Sequence, residues 1–250
     1  MSDEKLVGSD RVLAVLLELA EHPHGITLDE LARRMDSPKP TIHRALKSLR
    51  RAGLANQSAR GTYELGDEFI RLAYRHQEAR PETVRIQPLL QELAEVFGET
   101  AHYAVLDRPT IVYRAKVDPP TGAMRLTSTI GGRNLAYATA VGKLLLSDEV
   151  ASLQQLDEWL GPEPLARRTP NTITDRALLF DEILATRERG YGIDNQENEL
   201  GVNCVALPVA MPGSQPGAVS VSGLTHRRPL ESLIAEVPAI RATIARHLGG

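Results

Sequence analysis

The chain has little of what cross-links, anchors or coats. A single cysteine, Cys204, in 250 residues excludes an internal disulfide and fits a reducing cytoplasm. No apolar run reaches the ~18–20 residues of a membrane span, and the N-terminus is acidic and polar rather than signal-like, so no membrane partner is expected. Internal repeats and low-complexity tracts are missing as well. The net charge of −3 excludes a protein that coats nucleic acid in bulk, so any DNA contact must be local. Seven scattered histidines form no metal-binding spacing, and neither metal nor cofactor is expected. Gly142-Lys143 is not a phosphate loop, because Tyr137 and Leu144 stand where one needs glycine and Ser/Thr. Cys204 has no activating partner near it in sequence, and no catalytic residue is assigned.

What is present is concentrated at residues 27–51, TLDELARRMDSPKPTIHRALKSLRR. Leu28, Leu31, Ala32 and Met35 recur at helical 3-4 spacing, and Ile42, Ala45, Leu46 and Leu49 do so again. The break between them, Asp36-Ser37-Pro38, carries helix-start chemistry. With its apolar face buried, the second helix turns Lys39, His43, Arg44, Lys47, Arg50 and Arg51 outward. Residues 33–60 hold eight cations against one anion, Asp36. Such a patch in an acidic chain is a local footprint for phosphates. Two helices, a tight turn and a cationic outer face make a helix-turn-helix whose second helix enters the major groove of double-stranded DNA. The candidate DNA-contacting residues are Arg33, Lys39, Pro40, Thr41, His43, Arg44, Lys47, Arg50 and Arg60.

In chain order, residues 1–8 are expected to be disordered. A first helix follows, with Val12, Leu13, Leu16, Leu17 and Ala20 as its apolar face. Thr27 and Glu30 form a capping box. Beyond Gly53, short strands at 54–57 and 62–65 enclose a polar loop carrying Arg60, the pattern of a wing. A helix at 66–80, with Phe69, Ile70, Ala73 and Tyr74 facing inward, becomes strongly polar before Pro81 and reads as a linker. The second part alternates. Helices are expected at 84–97, 139–146, 149–160, 175–189 and 230–248. Strands are expected at 100–106, 110–116, 124–128, 203–209 and 218–224. The whole reads as α+β: an N-terminal winged helix-turn-helix (1–65), a linker helix (66–80) and a C-terminal sheet domain (81–250).

Four ordered blocks extend this reading over nearly the whole chain: ARRMDSPKPTIHRALKSLRRAGL in the first part, then YATAVGKLLL at 137–146, RGYGIDNQENELGVNCVALPV at 189–209 and GAVSVSG at 217–223. Together they resemble the IclR family of bacterial transcriptional regulators. The resemblance implies a GAF-like effector-binding domain with a central, mostly antiparallel sheet, in a homodimer or a dimer of dimers. It also implies that Asp194, Cys204, Ser220 and Ser222 line an effector site, together with backbone from Thr139, Ala140, Val141 and Gly142. Leu135 and Tyr137 stand where the family often has proline and histidine, a departure that bears on ligand preference.

The residues themselves support a polar site. Period-2 alternation sends Ser220 and Ser222 to one sheet face and Val219 and Val221 to the other. Two hydroxyls near a carboxylate and a thiol can hydrogen-bond a small polar ligand. Met124, Leu126 and Leu135 are candidates for an apolar wall. Glu197 and Glu199 could be imagined as an acid/base pair, but on a polar loop they are expected to be solvated or cap-like. The expected function is a ligand-responsive transcriptional regulator, a repressor or an activator, controlling catabolic genes in answer to a small organic acid: a hydroxy, keto or aromatic acid, sugar acids included. Two readings from other classes stand beside it, a small-molecule enzyme built on the GAF-like domain and a protein-interaction module using the winged helix for docking.

Overall fold

The computed structural model describes residues 8–59, 61–78, 81–120 and 126–248. Contacts divide the chain after residue 80 into two compact units. The first comprises α1 (Gly8–Ala20), β1 (Ile26–Thr27), α2 (Leu28–Arg34), α3 (Lys39–Arg51), β2 (Ala55–Gln57), β3 (Thr62–Leu65) and α4 (Asp67–Glu78). Its strands form an antiparallel sheet in the order β1-β3-β2. Val15 and Leu19 of α1, Leu31 of α2, and Ile42, Leu46 and Leu49 of α3 close the core around Ile26 and Tyr63. Truncating one of these, Leu46→Ala for example, removes fully buried methyl groups, at a cost of about 2–5 kcal/mol.

Two expected faces are corrected here. On α1 the buried stripe is Val15 and Leu19, flanked by Val12 and Leu16, while Leu13 and Leu17 stay 57 % and 69 % exposed. That helix is apolar on more than one side, and periodicity alone does not choose between its stripes. On α4, Phe69, Ile70 and Tyr74 do not face inward. They are 40 %, 66 % and 64 % exposed, and Ala73 and Leu72 are exposed beside them.

The second unit runs α5 (Pro81–Phe97), β4 (Thr100–Asp107), β5 (Thr110–Val117), β6 (Arg133–Leu135), a 3-10 turn (Ala136–Ala138), α6 (Ala140–Glu149), α7 (Leu153–Leu160), α8 (Arg176–Arg189), β7 (Gly192–Asn195), β8 (Val202–Val209), β9 (Gly217–Leu224), α9 (Leu230–Ala235) and α10 (Val237–Leu248). Six antiparallel strands lie in the order β6-β5-β4-β9-β8-β7. Strand alternation assigns the two faces. Ala101, Tyr103 and Val105 of β4 join Val205 and Leu207 of β8 and Val219 and Val221 of β9 against α5, α9 and α10. The opposite residues, among them Ala104, Cys204, Ala206 and Ala218, pack with α6, α7 and α8. His102, Ser220 and Ser222 belong to that second face by the same alternation.

Three expected elements differ. Residues 126–128 are irregular rather than strand, and the edge strand is instead β6. The helix expected from residue 149 starts at Leu153, where Ser152 caps it by accepting from Gln155 N–H at 3.2 Å. The last helix is broken at Glu236, just before Pro238, a residue that cannot supply an interior helix N–H.

Candidate DNA-binding surface and effector cavity

The capping box forms at the entry to α2. Thr27 N–H donates to Glu30 Oε2 at 3.1 Å and Glu30 N–H donates to Thr27 Oγ1 at 3.2 Å. These bonds to Thr27 hold the Glu30 carboxyl below its ordinary value. Met35 and Asp36 turn the chain, with Asp36 at φ 42°, and α3 starts after Pro38 with Pro40 in its first turn. The buried Ile42, Ala45, Leu46 and Leu49 fix the rotation of α3, which leaves Lys39, Pro40, His43, Arg44, Lys47, Arg50 and Arg51 exposed and Thr41 half-buried. Lys39 Nζ reaches Asp29 at 2.8 Å, and Arg50 donates to Gln57 Oε1 of β2 at 2.9 Å. Arg33 is exposed on α2. Arg44, Lys47 and Arg51 have no protein partner among the described residues, so α3 presents three uncommitted cations. Arg60 lies outside the described residues.

The second unit holds a cavity of about 210 Å³ on the α6 side of the sheet. Of the expected residues, Leu126, Thr139, Ala140, Val141, Asp194, Cys204, Ser220 and Ser222 border it. Gly142 and Leu135 do not. Leu135 packs on the apolar cluster under α6, and Gly142 faces the 3-10 turn, where a Cβ would stand 2.0 Å from the Ala136 carbonyl oxygen. Met124 lies outside the described residues. Thr139 caps α6, its Oγ1 accepting from Gly142 N–H at 3.0 Å. The N–H groups of Ala140 and Val141 are left over at the helix start, as the geometry of any α-helix requires.

Asp194 is the electrostatic centre. Its Oδ1 accepts from the N–H of Glu197 at 2.7 Å and of Asn198 at 3.4 Å. Burial, and then the neighbouring Glu197 carboxylate, raise its pKa from 3.8 to about 7, against the pull of Lys143 and the two N–H donors. Of the two environments expected for Glu197, solvated or cap-like, the first does not hold. Glu197 is 5 % exposed and accepts from Lys143 Nζ at 2.5 Å, and the 1 % exposed Lys143 also lies 3.5 Å from Glu182. Burial pushes Glu197 upward too, while Lys143 opposes that shift. Glu199 is exposed and accepts from Thr127 Oγ1 at 3.4 Å.

Sequence reasoning missed several further residues on the cavity, among them His102, Tyr113, Ser128, Arg133, Asn134 and Arg168. His102 Nε2 lies 2.8 Å from Ser128 Oγ and its Nδ1 lies 3.5 Å from Ser220 Oγ. Burial, then Lys116, depress its pKa to about 3, so the ring is neutral. Asn134 Nδ2 donates to Tyr113 Oη at 3.2 Å. Ser222 Oγ donates to Cys204 Sγ at 3.1 Å, and burial pushes that thiol up to about 12. The signal that could have found His102 is its place on β4, one alternation from Ala104 and opposite Ser220 of β9.

Two family profiles match the chain. The IclR helix-turn-helix domain covers residues 9–59 and the IclR C-terminal domain of bacterial transcriptional regulators covers residues 83–247. The chain belongs to the IclR family. It is 33 % identical over 248 residues to the HTH-type transcriptional regulator KdgR of Escherichia coli K12, covering 95 % of this chain and 89 % of KdgR. The crystal structure of an IclR transcriptional regulator from Alicyclobacillus acidocaldarius superimposes with a TM-score of 0.75 at 25 % identity, over 98 % of this chain and 99 % of that one. The inducer-binding domain of PobR from Acinetobacter, a double mutant in complex with 3-hydroxybenzoic acid, matches 66 % of this chain and 95 % of its own at a TM-score of 0.59 and 31 % identity. The chain is thus a transcriptional regulator with a helix-turn-helix DNA-binding domain, and its relatives carry names of regulators rather than enzymes. No helix among the described residues is long and apolar enough to cross a membrane.

Proposed function

We propose that this protein is a cytoplasmic regulator that represses catabolic genes and changes its hold on operator DNA when a small organic acid enters the cavity of the second unit. Residues 1–65 would contact DNA, 66–80 would link, and 81–250 would form a GAF-like sensor. The observation that carries the acid is the start of α6. Two N–H groups without a protein partner among the described residues, at Ala140 and Val141, belong to residues that border a polar cavity, and a helix start favours a carboxylate through those donors and the helix dipole. Asp194, with its pKa raised to about 7, would repel a second anion and accept from a ligand hydroxyl when ionised, and can donate to the ligand when protonated. The family's inducer-binding precedent, PobR with 3-hydroxybenzoic acid, is consistent with an acid.

The protein acts as a homodimer or a dimer of dimers on this reading. Leu13 and Leu17 on α1 and Phe69, Ile70 and Tyr74 on α4 are apolar surface that a monomer would leave in water. The test is calorimetry with small acids, with and without operator DNA taken from the sequence flanking the gene. An acid that alters operator affinity must have its own affinity altered by operator to the same degree. Ser222→Ala removes a cavity hydroxyl and should cost about 1–3 kcal/mol of acid affinity with operator binding in the absence of acid unchanged. Normal acid binding by Ser222→Ala, or acid affinity indifferent to operator, would reject the site or its coupling.

A further inference from the structure

Three carboxylates and two cations meet where α6, α8 and the 194–198 segment pack. Lys143 Nζ lies 2.5 Å from Glu197 and 3.5 Å from Glu182, and Arg189 Nη2 lies 2.6 Å from Glu182. Asp194 is the carboxylate left over. It is 6 % exposed, borders the cavity and has no ion pair among the described residues. Its Oδ1 accepts the N–H groups of Glu197 and Asn198, and no described group donates to its Oδ2. The other titratable groups around it bring no offsetting charge. Burial pushes Cys204, its partner on β8, up to about 12, and raises the Tyr113 phenol of β5 as well. His102 of β4 is depressed to about 3 and is neutral. Arg133, Arg168 and Glu199 border the cavity from exposed positions, where water and salt screen them, and Arg133 is paired with Asp107.

A buried carboxylate without a cation of its own is readily neutralised by a proton. Burial and then Glu197 raise Asp194 to about 7, so at neutral pH it is part ionised and part protonated. An anion brought beside it, into a cavity of about 210 Å³, adds a like charge at short range. Like charges sharing a site drive one of them to bind a proton. The same proton turns Asp194 from an acceptor into a donor toward the incoming molecule.

We propose that an organic anion binds in this cavity together with one proton from solvent, which Asp194 takes up on its unengaged oxygen, so that the regulator reads the acid and the pH as one signal. This rests on the cavity being the effector site. The sign follows from linkage. Anion binding raises the Asp194 pKa above its value in the free protein, so affinity is full below about pH 7 and falls above it, by up to about tenfold per pH unit.

Calorimetry on the full chain would titrate acetate, pyruvate, D-gluconate and 3-hydroxybenzoate in HEPES and in Tris, buffers with different heats of ionisation, so that the heats count protons. An acid that binds should take up about one proton at pH 8 and about a tenth of one at pH 6, and lose about tenfold or more in affinity between pH 7 and 8.5. Asp194→Asn keeps an oxygen for the two N–H groups and cannot titrate. Its proton uptake should vanish and its affinity should stay within about twofold across the same range. If that variant does not fold, the wild-type proton count decides alone. Binding without proton uptake at pH 8, or with proton release, would overturn the proposal and leave the effector site in place. Uptake that survives in Asp194→Asn would overturn it too, by placing the proton on Glu197 or His102. Silence from all four acids, in a protein that still binds its operator, would overturn the effector reading and this inference along with it.

Discussion

Lys143→Met tests whether the sensor is held together by a buried charge. Lys143 is 1 % exposed, lies 2.5 Å from Glu197, and lies 3.5 Å from Glu182, which Arg189 also contacts at 2.6 Å. Methionine keeps the length of the side chain and removes the cation. Glu182 then retains Arg189, but Glu197, 5 % exposed and with its Oε2 already unpaired, has no cation left. Breaking one partner out of a buried pair costs about 3–5 kcal/mol. A domain of this size loses roughly 2–4 °C of melting temperature per kcal/mol, so the sensor transition should fall by about 6–20 °C. Glu197→Gln added to Lys143→Met removes the stranded charge and should recover most of that loss, a coupling of about 2 kcal/mol or more by double-mutant cycle. Differential scanning calorimetry and urea unfolding of the four proteins would measure it. If the double variant is as unstable as the sum of the two singles, the pair is not coupled and Lys143 acts only through packing. Because Glu197 N–H also donates to Asp194, the single variant should lose acid binding more than operator binding.

How far the residues disclose this arrangement depends on the sequence distance between partners. The α3 surface was legible because one helix's own period decides which side chains are buried and which are exposed. Ser220 and Ser222 were legible for the same reason in a strand, where alternation separates them from Val219 and Val221. Leu13 and Leu17 were not, since α1 has two apolar stripes and only the packing of α3 and β3 selects Val15 and Leu19. The buried ion pair of Glu197 was not foreseen because its partner, Lys143, lies 54 residues away on another element. His102 escaped notice in the same way, tied to Ser128 across 26 residues and to Ser220 across 118. Residues 126–128 have strand-like composition but form no ladder: β6 pairs with Thr110–Val112 of β5, and further along β5 the carbonyls of Leu126 and Ser128 accept from the Lys116 side chain instead. Local periods write the elements and their faces, whereas buried charge partners are written only in the folded topology.

Three further outcomes follow from named atoms. Gly142→Ala places a Cβ 2.0 Å from the Ala136 carbonyl oxygen, so the 3-10 turn or α6 must shift, and both thermal stability and acid affinity should drop on calorimetry; unchanged values for both would contradict the close approach. Arg44→Ala, near the start of α3, should cost about 1–3 kcal/mol on operator and flatten base discrimination, whereas Lys47→Ala should weaken all sequences alike; exchanged behaviour in a mobility-shift competition would mean the groove geometry is wrong. The last concerns pH. Asp194 has a folded pKa raised from 3.8 to about 7, so its protonated form favours the folded state, and that stability is lost as pH rises from about 4 through 7. His102 is depressed from 6.5 to about 3, so it removes stability as pH falls below 6.5, the opposite slope over the shared window. The two nearly cancel between pH 4 and 6.5, and wild type should show little dependence from either there. Asp194→Asn deletes one slope and leaves the other. Its unfolding free energy relative to wild type should therefore rise by up to about 1.4 kcal/mol per pH unit between pH 5 and 6.5, read from urea unfolding across that range. A difference that stays flat with pH would mean that Asp194 is ionised in the folded protein throughout, and that its charge is neutralised by more than Lys143 and two N–H groups.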